Sequence, residues 1–594
     1  MDKENIKSPG IKKLIEQIDS VVDESFGPTF RFRPNQKEAV ASTIDNWLNG
    51  TDNVIISAPT GSGKSITALT IAKVLTKYYN MSGYILASDL GLIEQYQRDV
   101  EKYFPDWAVI KGQQTYTCSV NNLNFSSGAC KLKGCKTYND IKKKFPECSA
   151  ECPYIIERDK AIASSLLVCT YSFWLIQQNI VKAKLEDQAP FNERDFTICD
   201  EAHKLVSIVQ NHFSPKIHPD DMIKAKAVMD EGSDNDTLVD ELITIRYKIQ
   251  QYDNNDDVYK YLCEYVEKFP ALYDAIDTIK RDISVKTDNG EHISKDDKQL
   301  VYSCEYLDNH LSSFVDYVEI IKTVGVENLV KNYDDSRRDV ITFNCINESY
   351  LMKKHFHAHC KNKMYMSATI GDPNAFARDC AFEKYDVIDI PSTFDFTNSP
   401  IFYVADYRLS YKEKEQNLPK VAELIEATVK MYAGKRGIIQ TGSYQFAKAL
   451  MEYVSPEVRK RLIMYDDTKE KNEAIDYFKY CSDKVLVGPS LIEGLSFDDD
   501  LCRFQIIMKV PYPSLADKFV AAKQKLKPEW YNNTTAISIL QGVGRGIRND
   551  HDWCVTFIFD GCYSYLMQNA YTMFPSDFIK RIQVIPSYTI VPQT

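Results

Sequence analysis

Short, wholly apolar runs alternate with amphipathic stretches along most of this chain. Asn53-Val-Ile-Ile-Ser-Ala58 is apolar at nearly every position, which predicts a strand buried on both faces. A turn over Pro59–Gly63 follows, and from Ser65 onward the pattern changes to that of a helix. Phe196–Asp200 predicts a second buried strand. Later runs at Gly437–Gln440, Val485–Gly488 and Phe504–Val510 alternate with helical patterns, predicting a further doubly wound parallel sheet. Ser538 is expected to open a helix near the carboxyl end, and Ser349 another. Residues 1–28 read as a helix and polar lead-in. The stretch 206–340 differs: its periodicity is helical, with Val258, Leu262, Tyr265 and Phe269 on one face, and an acidic loop at Asp230–Asp236 interrupts it.

Chemistry enters where these elements end. Thr60-Gly61-Ser62-Gly63-Lys64-Ser65 joins a strand to a helix, the placement of a loop whose N–H groups cradle phosphate. Lys64 would neutralise the β- and γ-phosphates of ATP, and the Ser65 hydroxyl would join a Mg²⁺ shell. Asp200-Glu201-Ala202-His203 stands at the carboxyl end of the second strand, where open α/β sheets bind ligands. Asp200 is suited to hold Mg²⁺ through water, Glu201 to orient or deprotonate attacking water, and His203 to link the site to a second domain. Further on, Gln541, Arg545 and Arg548 fall at i, i+4 and i+7 and would share a helix face, amid Gly542, Gly544 and Gly546. Glycines at that density cost helix propensity and fit a backbone that approaches another domain closely. Arg545 and Arg548 are the candidates for arginines aimed at a γ-phosphate.

With these motifs in this order, the chain resembles the superfamily-two DNA helicases of the XPD/DinG type. Arg33-Pro34-Asn35-Gln36 looks like the adenine-reading segment, so that Gln36 would contact the base. Leu86-Ala-Ser88-Asp89-Leu90 resembles the first DNA-contacting motif, and Ser367-Ala368-Thr369 the coupling motif. Gly442-Ser443-Tyr444 resembles the opening of the second motor domain. Glu493-Gly494-Leu-Ser-Phe497 is similar to a nucleotide-contacting segment in which the family commonly has Asp where Ser496 stands. The resemblance implies two RecA-like motor domains, 29–395 and 396–594. The first would carry a cysteine-rich insertion at 112–158 and a helical arch at 206–340. It also implies 5′→3′ movement on single-stranded DNA.

The cysteines refine this picture. Of 16, five fall between residues 118 and 152: Cys118, Cys130, Cys135, Cys148 and Cys152. Clustered thiols without a secretory context point to metal ligation. The flanks Lys111-Gly112-Gln-Gln-Thr-Tyr116-Thr-Cys118 and Cys152-Pro153-Tyr154 resemble those of the family's [4Fe–4S] insertion. The implied ligands are Cys118, Cys130, Cys152 and either Cys135 or Cys148, with Cys135 favoured. A tetrathiolate Zn²⁺ site would use the same donors. His355, His357 and His359 share a face only in a strand, whereas their surroundings read as a helix, which argues against a metal there.

A length of 594 residues implies three or four folding units. No apolar run reaches the roughly 18 residues that span a bilayer, and Met1–Asn5 lacks a signal-peptide pattern. An intracellular protein, cytoplasmic or nucleoid-associated and monomeric, is expected. The net charge of −11 excludes indiscriminate coating of DNA. Single-stranded and forked DNA would then be held in a local groove, for which Lys131, Lys133, Lys136 and Lys142–Lys144 offer a basic patch. The motor motifs equally suit a translocase or RNA helicase that never separates DNA duplexes. Intact Lys64, Glu201 and Arg545 weigh against a partner-binding scaffold with a dispensable ATPase.

Overall fold

The computed structural model describes the chain apart from residues 1–7, 60, 120–123, 126–127, 129, 131–137, 186–188, 233–236, 290, 293, 335–336, 338, 392–395, 466–467, 490–496, 498, 545, 547–551 and 592–594. Its strands in the amino-terminal two thirds are β1 (Asn53–Ser57), β2 (Gly83–Ala87), β3 (Ala108–Val109), β4 (Leu166–Thr170), β5 (Phe196–Asp200), β6 (Lys216–Ile217), β7 (Leu329–Tyr333), β8 (Ile341–Cys345), β9 (Asn362–Ser367) and β10 (Asp386–Asp389). Seven of these form one parallel sheet in the order β10-β1-β9-β5-β2-β4-β3. Its central strands are buried along nearly their whole length, as their apolar runs require. The order matters for function. Strand β9 lies between β1 and β5, so Ser367 at its carboxyl end falls between the loop after β1 and Asp200-Glu201 after β5.

A second seven-stranded parallel sheet comprises β11 (Ile401–Tyr403), β12 (Gly437–Gln440), β13 (Leu462–Met464), β14 (Val485–Gly488), β15 (Phe504–Ile507), β16 (Val555–Ile558) and β17 (Ile582–Val584), in the order β13-β14-β12-β15-β16-β11-β17. The chain is thus α/β with two doubly wound parallel sheets. Strand β15 stops at Ile507, three residues before the predicted end. Beyond it the Val510 N–H donates to the Asp560 carboxylate at 3.0 Å instead of to a neighbouring strand, and Pro511 has no N–H to offer.

The helix expected from Ser538 begins at Pro528, whose fixed φ suits a first turn, and it ends at Val543. Gly544 caps it there, short of the predicted continuation, and Arg545 and Arg548 lie outside the described residues. Three glycines in five residues supply too little helix propensity to carry it further.

Among the described residues five α-helices lie between β6 and β7, Pro219–Gly232, Leu238–Gln251, Asn255–Val266, Phe269–Asp288 and Lys295–Val324. Val258, Leu262, Tyr265 and Phe269 are all buried. Tyr265 meets Phe269 and Phe314 at ring-centre separations of 5.1 and 5.5 Å, which fastens three of the helices together. Strands β6, β8 and β7 form an antiparallel base beneath them.

Candidate nucleotide site

The turn after β1 is built around two glycines in the left-handed region, Gly61 (φ 81°) and Gly63 (φ 84°). At Gly63 the requirement is doubled, because a Cβ there would stand 2.7 Å from the Gln36 amide nitrogen. Gln36 is buried and donates to the Gly63 carbonyl at 3.0 Å and to Thr67 Oγ1 at 3.1 Å. It also accepts from the Arg33 N–H at 3.0 Å. The segment ahead of the loop therefore clamps the loop itself. Lys64 and Ser65 open the helix Lys64–Tyr79. Ser62 is buried, and its hydroxyl has no partner among the described residues. Thr60 lies outside them.

Asp200 is the buried acid of the site. Its carboxylate accepts from the Tyr96 hydroxyl at 2.8 Å and from the Glu201 N–H at 2.8 Å. Burial, and then the Glu201 charge beside it, push the carboxyl up to about 6; Lys64 and the two donors pull the other way. An orphaned buried hydroxyl and a buried carboxylate short of countercharge, flanking Lys64 and Ser65, fit a phosphate chain with a divalent cation.

Glu201 holds a left-handed backbone (φ 50°), a conformation costly for any residue with a side chain. Its carboxylate accepts from the Ser367 hydroxyl at 3.3 Å. Ser367 Oγ in turn lies 2.8 Å from His203 Nδ1, and His203 Nε2 lies 2.6 Å from the Gln541 amide nitrogen. One neutral tautomer satisfies every link: His203 donates from Nδ1 to Ser367, Ser367 donates to Glu201, and Gln541 donates to Nε2. Gln541 also donates to Thr369 Oγ1 at 3.4 Å. A polar path thus runs from the carboxylate at the end of β5 to the helix that packs on the second sheet. That helix comes close to the sheet at Gly542, where a Cβ would stand 2.7 Å from Gln440 Oε1.

Two family models match this chain, one described as a helicase C-terminal domain over residues 427–578 and one as the Type III restriction enzyme res subunit over residues 29–218. Together they cover more than half of it, one on each parallel sheet. The chain is a helicase similar to those of the XPD/DinG type. It is an ATP-hydrolysing enzyme. A probable ATP-dependent helicase of Methanocaldococcus jannaschii is 21% identical over 630 residues, spanning 91% of this chain and 93% of that one. An ATP-dependent DNA helicase, CHL1, of Meyerozyma guilliermondii is 30% identical over 97 residues, 13% of this chain and 12% of that protein. Among solved structures, Xpd4 of S. tokodaii superposes with a TM-score of 0.58 at 13% identity, over 93% of this chain and all of that one. An XPD helicase gives 0.59 at 14% identity, over 94% of this chain and all of its own. At such identities the structural likeness speaks for the fold alone.

In this helicase the thiol-bearing segment around Tyr116 and Tyr154 is held by aromatic rings. Tyr154 packs against Tyr116 (5.2 Å between centres) and Phe125 (4.4 Å), and the Tyr116 hydroxyl accepts from the Lys111 N–H at 3.0 Å. Cys118, Cys130 and Cys152 are buried and Cys148 is half-buried. Burial, followed by the neighbouring thiols of Cys118 and Cys152, pushes the Cys148 thiol up. Among the described residues no three Cys, His, Asp or Glu side chains stand where they would hold a metal ion. Cys135 lies outside those residues. In donor type and burial the thiols fit a thiolate-bound cluster.

Lys142–Lys144 end the helix Tyr138–Lys144 on the surface, and Lys142 pairs with Asp159 at 2.5 Å. Lys131, Lys133, Lys136, Glu493, Gly494, Arg545 and Arg548 lie outside the described residues. The three histidines go separate ways. His355 meets Asn179 Oδ1 at 2.9 Å, His357 donates to the Cys380 carbonyl at 2.6 Å, and His359 faces Glu193 at 3.6 Å. Burial pushes His355 down to about 3 and His357 to about 4, which keeps both neutral. Sequence reasoning passed over Gln95, Tyr96 and Tyr171. Tyr171 donates to the Asp200 carbonyl at 3.0 Å. In the sequence these tyrosines look like ordinary apolar positions of amphipathic helices, and nothing local marks their hydroxyls.

Proposed function

We propose that this helicase moves 5′→3′ on single-stranded DNA and separates forked duplexes, with hydrolysis completed when its two motor domains, 29–395 and 396–594, close on ATP. The observation that carries the coupling of hydrolysis to closure is the polar path Glu201–Ser367–His203–Gln541, which joins the carboxylate after β5 to the helix Pro528–Val543. Gly61, Ser62 and Gly63 would cradle the phosphates with Thr60, Lys64 would neutralise them, and Gln36, its N–H groups spent on clamping the loop, would meet the base only through the remaining lone pair of its oxygen. Mg²⁺, held through Ser65 and Asp200, would supply charge neutralisation to the phosphates. Glu201 would orient the attacking water, and Arg545 and Arg548 would reach the γ-phosphate from the second domain, with Glu493 and Gly494 beside them. Cys118, Cys130 and Cys152, with Cys135 or Cys148, would hold a [4Fe–4S] cluster, or Zn²⁺ in the alternative. That metal would stiffen an insertion too small for a good core of its own, a wedge at the strand fork. A DNA substrate is supported by the name of the fungal relatives. The helical unit 206–340 would close over the strand as an arch.

The test is anaerobic purification with an absorbance spectrum and metal analysis, then ATPase and unwinding assays. Single-stranded DNA should stimulate turnover, and a fork with a 5′ tail should open faster than one with a 3′ tail. Glu201→Gln should bind ATP yet hydrolyse it at least about a hundredfold more slowly, the scale of a lost water-orienting group. A preference for RNA, or turnover without strand separation, would instead make this a translocase or RNA helicase.

A further inference from the structure

We propose that Gln95 and Tyr96 are positioning residues of the nucleotide site, together fixing the Ser65 hydroxyl and the Asp200 carboxylate in the orientations a shared cation needs. The proposal rests on the ATP-site reading above and extends it to two residues no motif contains. Gln95 Nε2 donates to Ser65 Oγ at 2.9 Å. The Tyr96 hydroxyl donates to Asp200 Oδ2 at 2.8 Å. Both bonds have a fixed direction, because an amide nitrogen only donates and a carboxylate only accepts. A serine ligates a cation through an oxygen lone pair, and the Gln95 amide, by taking one lone pair of Ser65 Oγ, fixes where the other is offered. At the far end, the Glu201 N–H holds Oδ1 while Tyr96 holds Oδ2, so the carboxylate cannot rotate.

The two residues are neighbours on the helix Leu90–Tyr103, whose first turn is capped by Asp89 accepting from the Leu92 N–H at 3.0 Å. Successive helical residues point about 100° apart. Tyr96 is thereby fully buried against Asp200, while Gln95 stays on the surface and reaches the rim at Ser65. Packing alone does not call for this hydroxyl. Tyr96 lies in the same core as Ile93 and Val100, and a phenylalanine would fill its volume. Displacing this one helix would displace both oxygens together.

The test needs no turnover. Mg²⁺ is titrated against binding of a fluorescent ATP analogue in wild type, Tyr96→Phe and Gln95→Ala, beside steady-state ATPase at several Mg²⁺ concentrations. Binding of the analogue in excess chelator should stay within about twofold of wild type. The Mg²⁺ concentration at half effect should rise about five- to tenfold in Tyr96→Phe and about two- to fivefold in Gln95→Ala, the scale of one lost hydrogen bond. kcat should recover at saturating Mg²⁺, which a merely structural defect would not do. Should Tyr96→Phe fail to fold, Gln95→Ala, at an exposed position, decides. An unchanged Mg²⁺ midpoint overturns the proposal. Absence of any Mg²⁺-dependent nucleotide binding in the wild type would overturn the ATP-site reading instead.

Discussion

Asp200 shows at a single residue how a site can work against its fold. Its carboxyl is pushed up to about 6 by burial, above the ordinary value near 3.8. A folded-state pKa raised above the unfolded one means that the native protein binds the extra proton between those two values. The contribution is then fully present below about pH 4 and is lost as pH rises through about 6. At pH 7.5 in the absence of nucleotide and cation, the ionised carboxylate is a net cost. Asp200→Asn should therefore raise the melting temperature of the nucleotide-free protein at pH 7.5, by on the order of 2 kcal/mol in stability. The asparagine can still accept from the Glu201 N–H, so the local geometry has a replacement partner. The same variant should abolish Mg²⁺-dependent hydrolysis. A melting temperature lowered by the substitution would show that the carboxylate is not destabilising, and that its surroundings compensate it even in the empty site.

At the scale of elements, how far the chain could be read depended on how local the governing forces are. Strands β1, β5, β12 and β14 were legible because a parallel strand covered on both faces must be apolar throughout, and that run is written in consecutive residues. The helical face Val258, Leu262, Tyr265 and Phe269 was legible for the same reason at a different period. The helix Pro528–Val543 was misread at both ends. Its early start depends on Pro528, and its stop on a glycine density weighed as close approach rather than as termination.

Close approach is nevertheless real at Gly542, where the added Cβ of an alanine would meet the Gln440 side chain at 2.7 Å. Gln440 is buried at the end of β12 and donates to the Gly542 carbonyl at 3.4 Å, so it has little room to retreat. Gly542→Ala should push the helix off the sheet and pull Gln541 from His203. The expected result is a fall in kcat of about tenfold or more with nucleotide affinity near normal, since Gln541 meets the site through His203 and not through the phosphate loop. Equal losses in kcat and affinity would place the fault in general folding instead. Gly63→Ala should differ: with φ at 84° and Gln36 2.7 Å from the new Cβ, it should weaken nucleotide binding itself.

Across the whole molecule, the carboxyl-terminal part meets the five-helix unit as well, away from the polar path at Gln541. The helix Lys518–Leu526, which follows β15, packs on β7 at the base of the five-helix unit. Lys518 reaches Asp253 at 3.0 Å, and Lys523 pairs with Glu348 at the start of the helix Glu348–His355. Glu348 and Lys523 are both nearly inaccessible, at 3% and 4% exposure, and they are 175 positions apart in the chain, a separation that leaves no local trace in the sequence. Trp530 covers the Lys523 ammonium at 4.0 Å, and Lys527 and Asp379 complete a group of two positive and two negative charges. Burial pushes the Lys523 ammonium down, so its charge persists there because Glu348 answers it.

Removing one partner of a buried pair strands the other, at a cost on the order of 3 kcal/mol, whereas replacing both with apolar residues is often near neutral. Lys523→Met should accordingly loosen this junction, and Glu348→Met with Lys523→Met should restore much of it. Hydrogen exchange reads the effect locally, which avoids assigning one unfolding free energy to a multidomain chain. Amides of Lys518–Leu526 and of β7 should exchange faster in the single variant and return toward wild type in the double. If the single variant leaves those amides unchanged, the ion pair is not what fastens the second sheet to the five-helix unit. The junction would then be held by the packing of Lys518–Leu526 on β7, and the pair would be a consequence of that packing.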